Sequence, residues 1–376
     1  MADVKRLEPV STVSLCIIAY NEQACMDSLL HEVRAQDYPH ELMEIILVDG
    51  LSTDGTKEKM LEFQQKNEGA FRRVVVADNE KRVLPCGWNV VLKNAMADVI
   101  LRVDAHSSIP VDFVSKNMAC LNRGEAVCGG RRPNIIDEDT PFKRTLLMAE
   151  TSMFGSSVAP YRRKQEELYV KSLFHGAYRR TVFEEVGGYN ENLWRTEDNE
   201  MNYRIRAAGY RLCYEPEIIS YQHTRNGLGK MLKQKYKNGY WIGLTVGVCP
   251  QCFSLYHFVP LAFVCAILVT ALLAVLGHPL LMALMWSLYG ILAVAMACKA
   301  IIETRRFHIS NLLLPLLFLL LHLSYGAGTL VGLVKLPFWL RKHSGGRSPE
   351  VEEIKTAMKK ITAVFSDMRR HEIWRI

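Results

Sequence analysis

Asp104 and His106 are the residues whose types and spacing point most directly to chemistry. They flank Ala105 and follow an apolar run, so a turn of the chain would direct both side chains into one site. A carboxylate is a hard ligand that suits Mg²⁺ or Mn²⁺, and an imidazole suits Mn²⁺ better than Mg²⁺. The pair therefore predicts a divalent-metal site, and the cap of an ordinary loop is the alternative.

A second acidic pair, Glu197 and Asp198, opens a predicted helix. A carboxylate can take a proton from a hydroxyl when a cleft raises its pKa or holds it in line with the hydroxyl. The alternative is a structural role, because acids in the first helical turn interact favourably with the helix dipole. Position in the sequence leaves both interpretations open.

The first 130 residues alternate strand and helix signals. Strands are predicted at 13–19, 44–48, 73–77 and 98–103, with helices between them at 22–36, 56–65 and 85–95. This spacing predicts βαβ units and an α/β domain with a Rossmann-like, mainly parallel sheet. Ligands of such sheets bind at the carboxyl ends of the strands. Polar clusters stand there: Tyr20-Asn21-Glu22, Asp49, Asn79 and Asp104-Ala105-His106.

Three later stretches carry no formal charge, at 253–276, 279–298 and 311–334. Each is about as long as the ~20 residues that a helix needs to cross a hydrocarbon core. We therefore expect three apolar membrane segments, the last of which is either a crossing or a re-entrant hairpin buried against protein. The sequence begins with a short polar lead and no signal-peptide pattern. A multi-pass protein of the cytoplasmic (inner) membrane, with its N-terminal domain in the cytosol, is the prediction.

Basic residues accumulate around the apolar region. Residues 335–376 hold ten Lys/Arg and five Asp/Glu, which is typical of the cytosolic side and of attraction to anionic lipids. The helical spacing at 352–368 predicts a tail helix that lies on the membrane or packs on the catalytic domain. Residues 227–240 predict a basic amphipathic helix in the membrane interface, with a solvated surface helix as the alternative.

These signals divide the chain into an α/β domain at 1–225, an interfacial segment at 226–250, a membrane region at 251–336 and a basic tail at 337–376. No basic segment interleaves aromatic residues in a recognition pattern, so nucleic acid is not an expected partner. The ten cysteines show no disulfide framework, which agrees with a reducing compartment. Oligomeric state is left open.

Five motifs in sequence order resemble the inverting family 2 glycosyltransferases with the GT-A fold. They are SLCIIAYNE, EIILVDGLSTDGT, VILRVDAH, GAYRRTVFEEVGGYNENL and RTEDNEMNYRIRAAG. The basic and apolar C-terminal part is similar to the succinoglycan-assembly (ExoA-like) branch of exopolysaccharide enzymes. The resemblance implies a metal-dependent hexosyltransferase that moves a sugar from a nucleotide sugar, with UDP-hexose expected, to a hydroxyl of a polyprenyl-diphosphate-linked saccharide.

The resemblance also implies roles for individual residues. Those implied to bind the nucleotide sugar are Ile18, Tyr20, Glu22, Asp49, Asn79, Arg82, Asp104 and Ala105. Asp104 and His106 would hold the cation, Mn²⁺ or Mg²⁺. Asp198 would be the general base with Glu197 beside it, and Gly176 and Arg179 would flank the sugar and the acceptor.

The sequence departs from the family pattern in its metal motif, in its processivity motif and at Asp49-Gly50, where many members carry two acids. The family's metal motif usually ends in a second carboxylate, where this chain has His106, so the identity of the cation stays open. Processive members carry a compact Gln-x-x-Arg-Trp, whereas here six residues separate Gln234 from Trp241 and no Arg precedes the Trp. This spacing predicts single addition, with Gln234 and Trp241 closing over donor or acceptor from the membrane edge.

Three rival functions remain at this point. A polyprenyl-phosphate sugar synthase would use the lipid phosphate itself as acceptor and would need no base. A processive polysaccharide synthase would need more than three apolar spans to build a channel. A non-catalytic membrane partner would not need Asp104 and Asp198.

Overall fold

The structure is a computed structural model that describes residues 7–136, 138–155, 168–223 and 227–373, with side chains as far as residue 363. The start of the predicted polar lead and the last three residues of the tail lie outside these ranges. The strands are β1 Val13–Ala19, β2 Met43–Asp49, β3 Arg73–Asp78, β4 Val99–Asp104, β5 Ser107–Ser108, β6 Val127–Arg131, β7 Asn134–Ile135, β8 Leu168–Val170, β9 Ala177–Arg179, β10 Leu212–Ile219 and β11 Tyr221–His223.

The helices alternate with these strands at first and then follow one another. They are α1 Gln23–Arg34, α2 Thr56–Lys66, α3 Leu84–Asn94, α4 Phe113–Asn122, α5 Pro141–Thr151, α6 Arg180–Val186, α7 Glu197–Ala207, α8 Leu228–Thr245, α9 Val259–Val275, α10 Leu280–Thr304, α11 Leu314–Lys342 and α12 Glu350–Ile373.

Contacts between residues divide the chain into two units. The first contains the described residues of Met1–Pro133, Arg163–Gln222 and Arg347–Ile376, and the second those of Asn134–Arg162 and His223–Gly346. The sequence predicted domains that are contiguous segments of the chain. Each unit of the structure instead combines segments that are distant in sequence.

The first unit is built on an eight-stranded sheet with the order β3-β2-β1-β4-β9-β6-β10-β8. The pairs among β1 to β4 are parallel, and so is the pair of β6 with β10. β9 runs antiparallel between β4 and β6, and β8 runs antiparallel to β10. The predicted α/β fold with a mainly parallel sheet is confirmed.

The register of this sheet aligns the carboxyl ends of the strands. β1 places Ile18 beside Asp104 of β4 and Ala19 beside Asp49 of β2. β1, β2 and β4 are rich in Val, Ile and Leu and are buried on both faces, as parallel strands covered by helices must be, whereas β3 at the end of the sheet is half-buried.

The tail helix α12 belongs to the first unit. Its residues Val351, Ile354 and Met358 are fully buried, at the helical spacing that puts them on one face. The Gly188 N–H donates to the Val351 carbonyl at 3.0 Å. A Cβ at Gly188 would lie 2.7 Å from the Ile354 side chain, so only glycine permits this approach. Of the two predicted placements for the tail, the structure shows packing on the catalytic domain.

The second unit contains the three apolar segments predicted from the sequence. Leu255–Val275, Leu280–Thr304 and Ile309–Lys342 are long and apolar enough to cross a membrane. The predicted basic helix, α8, packs against α11 at very short range. A Cβ at Gly239 would lie 2.0 Å from the Tyr325 carbonyl oxygen, and one at Gly328 would lie 2.1 Å from the Tyr236 carbonyl oxygen. Small residues allow helix backbones to approach in this way.

Replacing Ile354 with alanine should weaken the docking of α12 by about 2–5 kcal/mol, because it removes a fully buried side chain and leaves a cavity. Trypsin should then cut after Lys359 or Lys360 at least about 30-fold faster in the purified protein, since cleavage follows the open population. The exposed substitution Glu353→Ala is the matched control. Equal cleavage rates for the two variants would contradict the packing described here.

Candidate active site

Arg102 is a buried cation at the centre of the site. It precedes Asp104 by two positions in β4, so both side chains emerge on the same face of the sheet. Its Nη2 lies 3.6 Å from Oδ1 of Asp104 and 3.6 Å from Oε1 of Glu197. The guanidinium also lies 4.5 Å from the centre of the Trp88 ring, as cation–π contacts do. Arg102 therefore connects the strand-end aspartate to the acidic pair of α7.

Asp104 is held in its ionised form. Burial by itself would raise its pKa, but Arg102 and the neighbouring His175 outweigh burial and hold the pKa of Asp104 well below its usual range. The same pairing raises the pKa of Arg102, although burial opposes it. The site thus contains a permanent carboxylate, which is the donor that a hard cation requires.

His175 lies beneath Asp104. The backbone N–H of Asp104 donates to Nε2 of His175 at 3.3 Å, and Nδ1 lies 2.8 Å from Oγ of Ser220. Burial lowers the pKa of His175 to about 4, so the ring is neutral at physiological pH. It contacts the strand end by hydrogen bonding, without adding a charge.

Glu197 and Asp198 begin α7, where their environments set their protonation. Burial, together with the charge of Asp198, raises the pKa of Glu197 to about 8. Burial also raises the pKa of Asp198, whose Oδ1 accepts the Asn199 backbone N–H at 2.7 Å. Glu197 therefore retains its proton near neutral pH. A neutral Glu197 leaves Asp198 as the carboxylate of the pair.

His106 follows Asp104 into the turn before β5. Its Nδ1 lies 3.7 Å from Oε1 of Glu22, and its Nε2 lies 3.2 Å from Nε2 of Gln222. The structure thus brings His106 and Glu22 together at the carboxyl edge of the sheet, as the sequence predicted for polar clusters after strands.

The side chains at this edge fit a divalent cation that takes its remaining ligands from a substrate. Within the described residues, no group of three or more His, Cys, Asp or Glu side chains is arranged to hold a metal ion. Asp104 offers an ionised carboxylate and His106 an imidazole. Mg²⁺ is commonly held by one or two carboxylates together with substrate phosphates, and two protein donors are compatible with that pattern.

The loops after β1, β2 and β3 are strained at the same edge. Asn21, Leu51 and Arg82 have φ angles of 54°, 57° and 57°, in the left-handed region that residues other than glycine seldom adopt. Such strain persists where the surrounding structure fixes it, and it is concentrated at ligand sites. These loops hold several of the residues implied to bind the nucleotide.

Asp49 and Asn79 lie at the buried base of these loops. The Asp49 carboxylate accepts the Ser52 N–H at 3.0 Å through Oδ2, whereas its buried Oδ1 has no hydrogen-bond partner among the described residues. Asn79 Nδ2 donates to the Val83 carbonyl at 2.9 Å and shapes the loop that carries Arg82. An unsatisfied buried carboxylate oxygen is an acceptor that a ligand N–H would satisfy.

Ile18, Tyr20 and Ala105 border the same edge. A Cβ at Gly87 would lie 3.0 Å from the Ile18 side chain, so Ile18 packs on the start of α3. Tyr20 is 49% exposed, which leaves its ring open to a planar ligand, whereas Ala105 is buried beside Asp104.

Other predicted residues are placed differently. Gly176 accepts the Arg102 N–H at 3.0 Å through its carbonyl and adjoins His175, so it lies beside the site. Arg179 pairs with Val99 at the beginning of β4, the end opposite Asp104. Its guanidinium donates to three backbone carbonyls, those of Glu8, Leu121 and Glu125. The structure therefore does not bring Arg179 to the other site residues.

Gln234 and Trp241 lie on α8 in the second unit. The Trp241 ring contacts Trp339 edge to face, with ring centres 6.4 Å apart.

Four residues of the site were missed in the sequence: Trp88, Arg102, His175 and Ser220. Arg102 had a signal, because a charged residue in the middle of an otherwise apolar strand must be paired when it is buried. The contributions of Trp88 and Ser220 depend on contacts between distant segments, for which the sequence gives no periodic signal.

Two known proteins are similar to this chain in sequence. The dolichyl N-acetyl-alpha-D-glucosaminyl phosphate 3-beta-D-2,3-diacetamido-2,3-dideoxy-beta-D-glucuronosyltransferase of Methanococcus voltae is 27% identical over 335 residues, which cover 86% of this chain and 97% of that protein. Succinoglycan biosynthesis protein ExoA of Rhizobium meliloti is 28% identical over 239 residues, covering 62% of this chain and 69% of that protein.

A solved structure has the same fold. Mannosyltransferase PcManGT from Pyrobaculum calidifontis, in complex with GDP-Man and Mn²⁺, aligns with a TM-score of 0.56 at 15% identity. The alignment covers 86% of this chain and 88% of that one. The likeness shows a shared fold, and the predicted GT-A fold is confirmed. Residues 14–187 match the family Glycosyl transferase family 2, so this part of the chain is similar to that family.

The substitution Glu197→Gln tests the protonation of the acidic pair. The native state keeps a proton on Glu197 up to about pH 8, whereas the unfolded chain releases it near the ordinary glutamate pKa of about 4.3, so this residue lowers stability as pH rises between those values. The melting temperature of Glu197→Gln relative to the wild type should therefore be higher at pH 8 than at pH 5. The exposed Glu353→Gln is the control, and parallel pH profiles for Glu197→Gln and wild type would refute the raised pKa.

Proposed function

We propose that this protein is an inverting glycosyltransferase that moves one sugar from a nucleotide sugar to a hydroxyl of a lipid-linked saccharide in exopolysaccharide or other surface glycan assembly. The observation that carries the proposal is the acidic pair of α7, linked through Arg102 to Asp104. A carboxylate with a raised pKa stands there beside a permanently ionised one. A general base needs a raised pKa, and a group that binds the donor through a cation needs to be ionised.

Asp198 acts as the general base. It removes the proton of the acceptor hydroxyl as the acceptor oxygen bonds to the anomeric carbon, and the bond from that carbon to the diphosphate oxygen breaks on the opposite face. The nucleoside diphosphate leaves with the bonding electrons, and the anomeric configuration is inverted. Its raised pKa makes Asp198 a better proton acceptor than an exposed aspartate. Neutral Glu197 avoids repulsion of the departing anion.

The donor binds along the loops after β1 to β4. Asp49 accepts a hydrogen bond from the nucleobase, and Tyr20 and Ile18 border the nucleobase. Asn79 and Arg82 lie towards the diphosphate. A UDP-hexose is the expected donor. PcManGT was solved with GDP-Man, so UDP- and GDP-sugars are the first two classes to compare.

Asp104 and His106 would hold a divalent cation, Mn²⁺ or Mg²⁺. When bound, such an ion supplies positive charge that offsets the charge developing on the leaving diphosphate. Support comes from the ionised state of Asp104 and from the Mn²⁺ present in PcManGT.

The acceptor is a polyprenyl-diphosphate-linked saccharide, taken at the cytosolic face of the cytoplasmic membrane. Three long apolar helices support a membrane location. The relative from Methanococcus voltae is named for transfer to a dolichyl-phosphate-linked sugar, and the Rhizobium meliloti relative is named for succinoglycan biosynthesis.

Asp198→Asn should lower the rate of sugar transfer by about 10²–10⁴-fold and leave donor affinity unchanged, because it removes the base and keeps the shape of the side chain. Transfer to a lipid-linked saccharide is measured by mass spectrometry, and donor affinity by calorimetry. Asp112→Asn, on an aspartate paired with Lys116 on the surface, is the control. Undiminished transfer to a lipid phosphate by Asp198→Asn would instead support a polyprenyl-phosphate sugar synthase.

His106→Ala should raise the Mn²⁺ concentration needed for half-maximal activity by about tenfold or more, since it removes one of two protein donors. Chelator-treated enzyme is titrated with Mn²⁺ and then with Mg²⁺ in the presence of donor. His31→Ala, at an exposed position, is the control. Full activity of chelator-treated wild type would contradict metal dependence.

A further inference from the structure

α9 and α10 form an antiparallel hairpin in the second unit. The Thr270 hydroxyl of α9 lies 3.7 Å from Sδ of Met285 of α10, on the two sides of a turn at Gly277. Phe263, near the beginning of α9, stacks on Tyr289 at 4.5 Å. If both helices cross a bilayer, the chain therefore enters near Leu255 and returns at Thr304 on the same side.

The C-terminal end of α11 is tied to the side on which α9 begins. A Cβ at Gly247, just after α8, would lie 2.6 Å from the Leu336 side chain, and Trp241 contacts Trp339. The apolar segment of α9 starts at Leu255, eight residues after Gly247. The end of α11 is therefore close to the entry point of the hairpin.

The N-terminal end of α11 is tied to the same side. The apolar segment that contains α11 starts at Ile309, only a few residues after α10 ends at Thr304. Asn311, just before α11, accepts the Thr145 hydroxyl of α5 at 2.9 Å. α5 carries Lys143 and Arg144, which a bilayer core would exclude. Both ends of α11 thus lie where the hairpin enters and leaves.

The middle of α11 is covered by protein. His322 Nε2 lies 2.5 Å from the Phe154 carbonyl oxygen, in the irregular segment after α5. Irregular backbone does not face lipid within the hydrocarbon core. The window of apolar residues in α11 is 39% buried, against 6% in the α9 segment and 11% in α10. Burial of this extent distinguishes α11 from the two helices of the hairpin.

Charge agrees with the same arrangement. The turn between α9 and α10, residues 276–279, has no charged residue, whereas Arg305 and Arg306 follow α10 and the basic tail follows α11. Basic residues accumulate in the cytosolic loops of membrane proteins. Two crossings place all of these basic residues on one side, whereas three would separate Arg305 from the tail.

The first unit supplies an independent argument. It includes segments that precede the apolar region in the sequence and a segment that follows it. These segments are in contact: Gly188 donates to Val351, and Nζ of Lys81 lies 2.8 Å from Oε1 of Glu350. Segments in contact cannot be on opposite sides of a bilayer. The number of crossings between Gln222 and Arg347 must therefore be even.

We propose that, of the three apolar helices, α9 and α10 cross the bilayer and α11 does not. α11 lies in the interface on the side where the α9–α10 hairpin enters and leaves, held by α5 and α8. Its exposed apolar side chains, such as Leu316 and Phe338, contact lipid at that surface. α11 therefore binds the interfacial region of the membrane.

Cysteine labelling from each side of the membrane tests this topology, whatever the enzymatic activity is. The background replaces with serine the native cysteines that are not buried: Cys25, Cys252, Cys265 and Cys298. Single cysteines are then placed at four exposed positions: His278 in the hairpin turn, Arg306 after α10, Lys342 at the end of α11 and Lys359 on α12.

A membrane-impermeant maleimide should label H278C in intact cells, and should label R306C, K342C and K359C only when the cells are opened. Labelling of K342C and K359C in intact cells, together with H278C, would show that α11 crosses and would overturn the proposal. Labelling of all four positions only in opened cells would show that the hairpin does not cross, and would overturn it as well.

Discussion

The site depends on one buried cation. An arginine guanidinium does not lose its proton in a protein, so a buried one must be paired with carboxylates. Arg102 meets this requirement with the ionised carboxylate of Asp104 at 3.6 Å, and it also contacts the neutral carboxyl group of Glu197 at 3.6 Å and the ring of Trp88. Because the strand end and the beginning of α7 both contact this one side chain, Asp104 and the acidic pair of α7 are held together in the folded chain.

The same pairing separates the acids in their protonation. Arg102 and His175 hold the pKa of Asp104 below its usual range in spite of burial, whereas burial and the adjacent Asp198 raise the pKa of Glu197. Asp104 therefore remains ionised, whereas Glu197 keeps its proton near neutral pH. The chemistry that we propose needs both states, together with Asp198 as the proton acceptor.

The course of the chain connects this site to the membrane. The chain leaves the first unit after β11, forms the apolar helices, and returns as α12, which packs on Gly188 through Val351 and Ile354. Lys81 forms a salt bridge with Glu350 of α12 and precedes Arg82 in the loop after β3. The apolar helices are thus a long insertion between β11 and α12. Because α12 returns to the first unit, the chain must cross the bilayer an even number of times.

The strand–helix alternation, the convergence of Asp49, Asn79 and Asp104 at one edge, and the three apolar segments could all be predicted from the sequence. These features follow from local periodicity and composition, which are visible within single segments of the chain. The contacts of Arg102 with both acids, the place of Arg179 at the opposite edge, and the packing of α12 on the catalytic unit could be seen in the folded chain alone. Each of these features depends on contacts between residues far apart in the chain. In such contacts the burial of a side chain and its partners, rather than its residue type, determine its role.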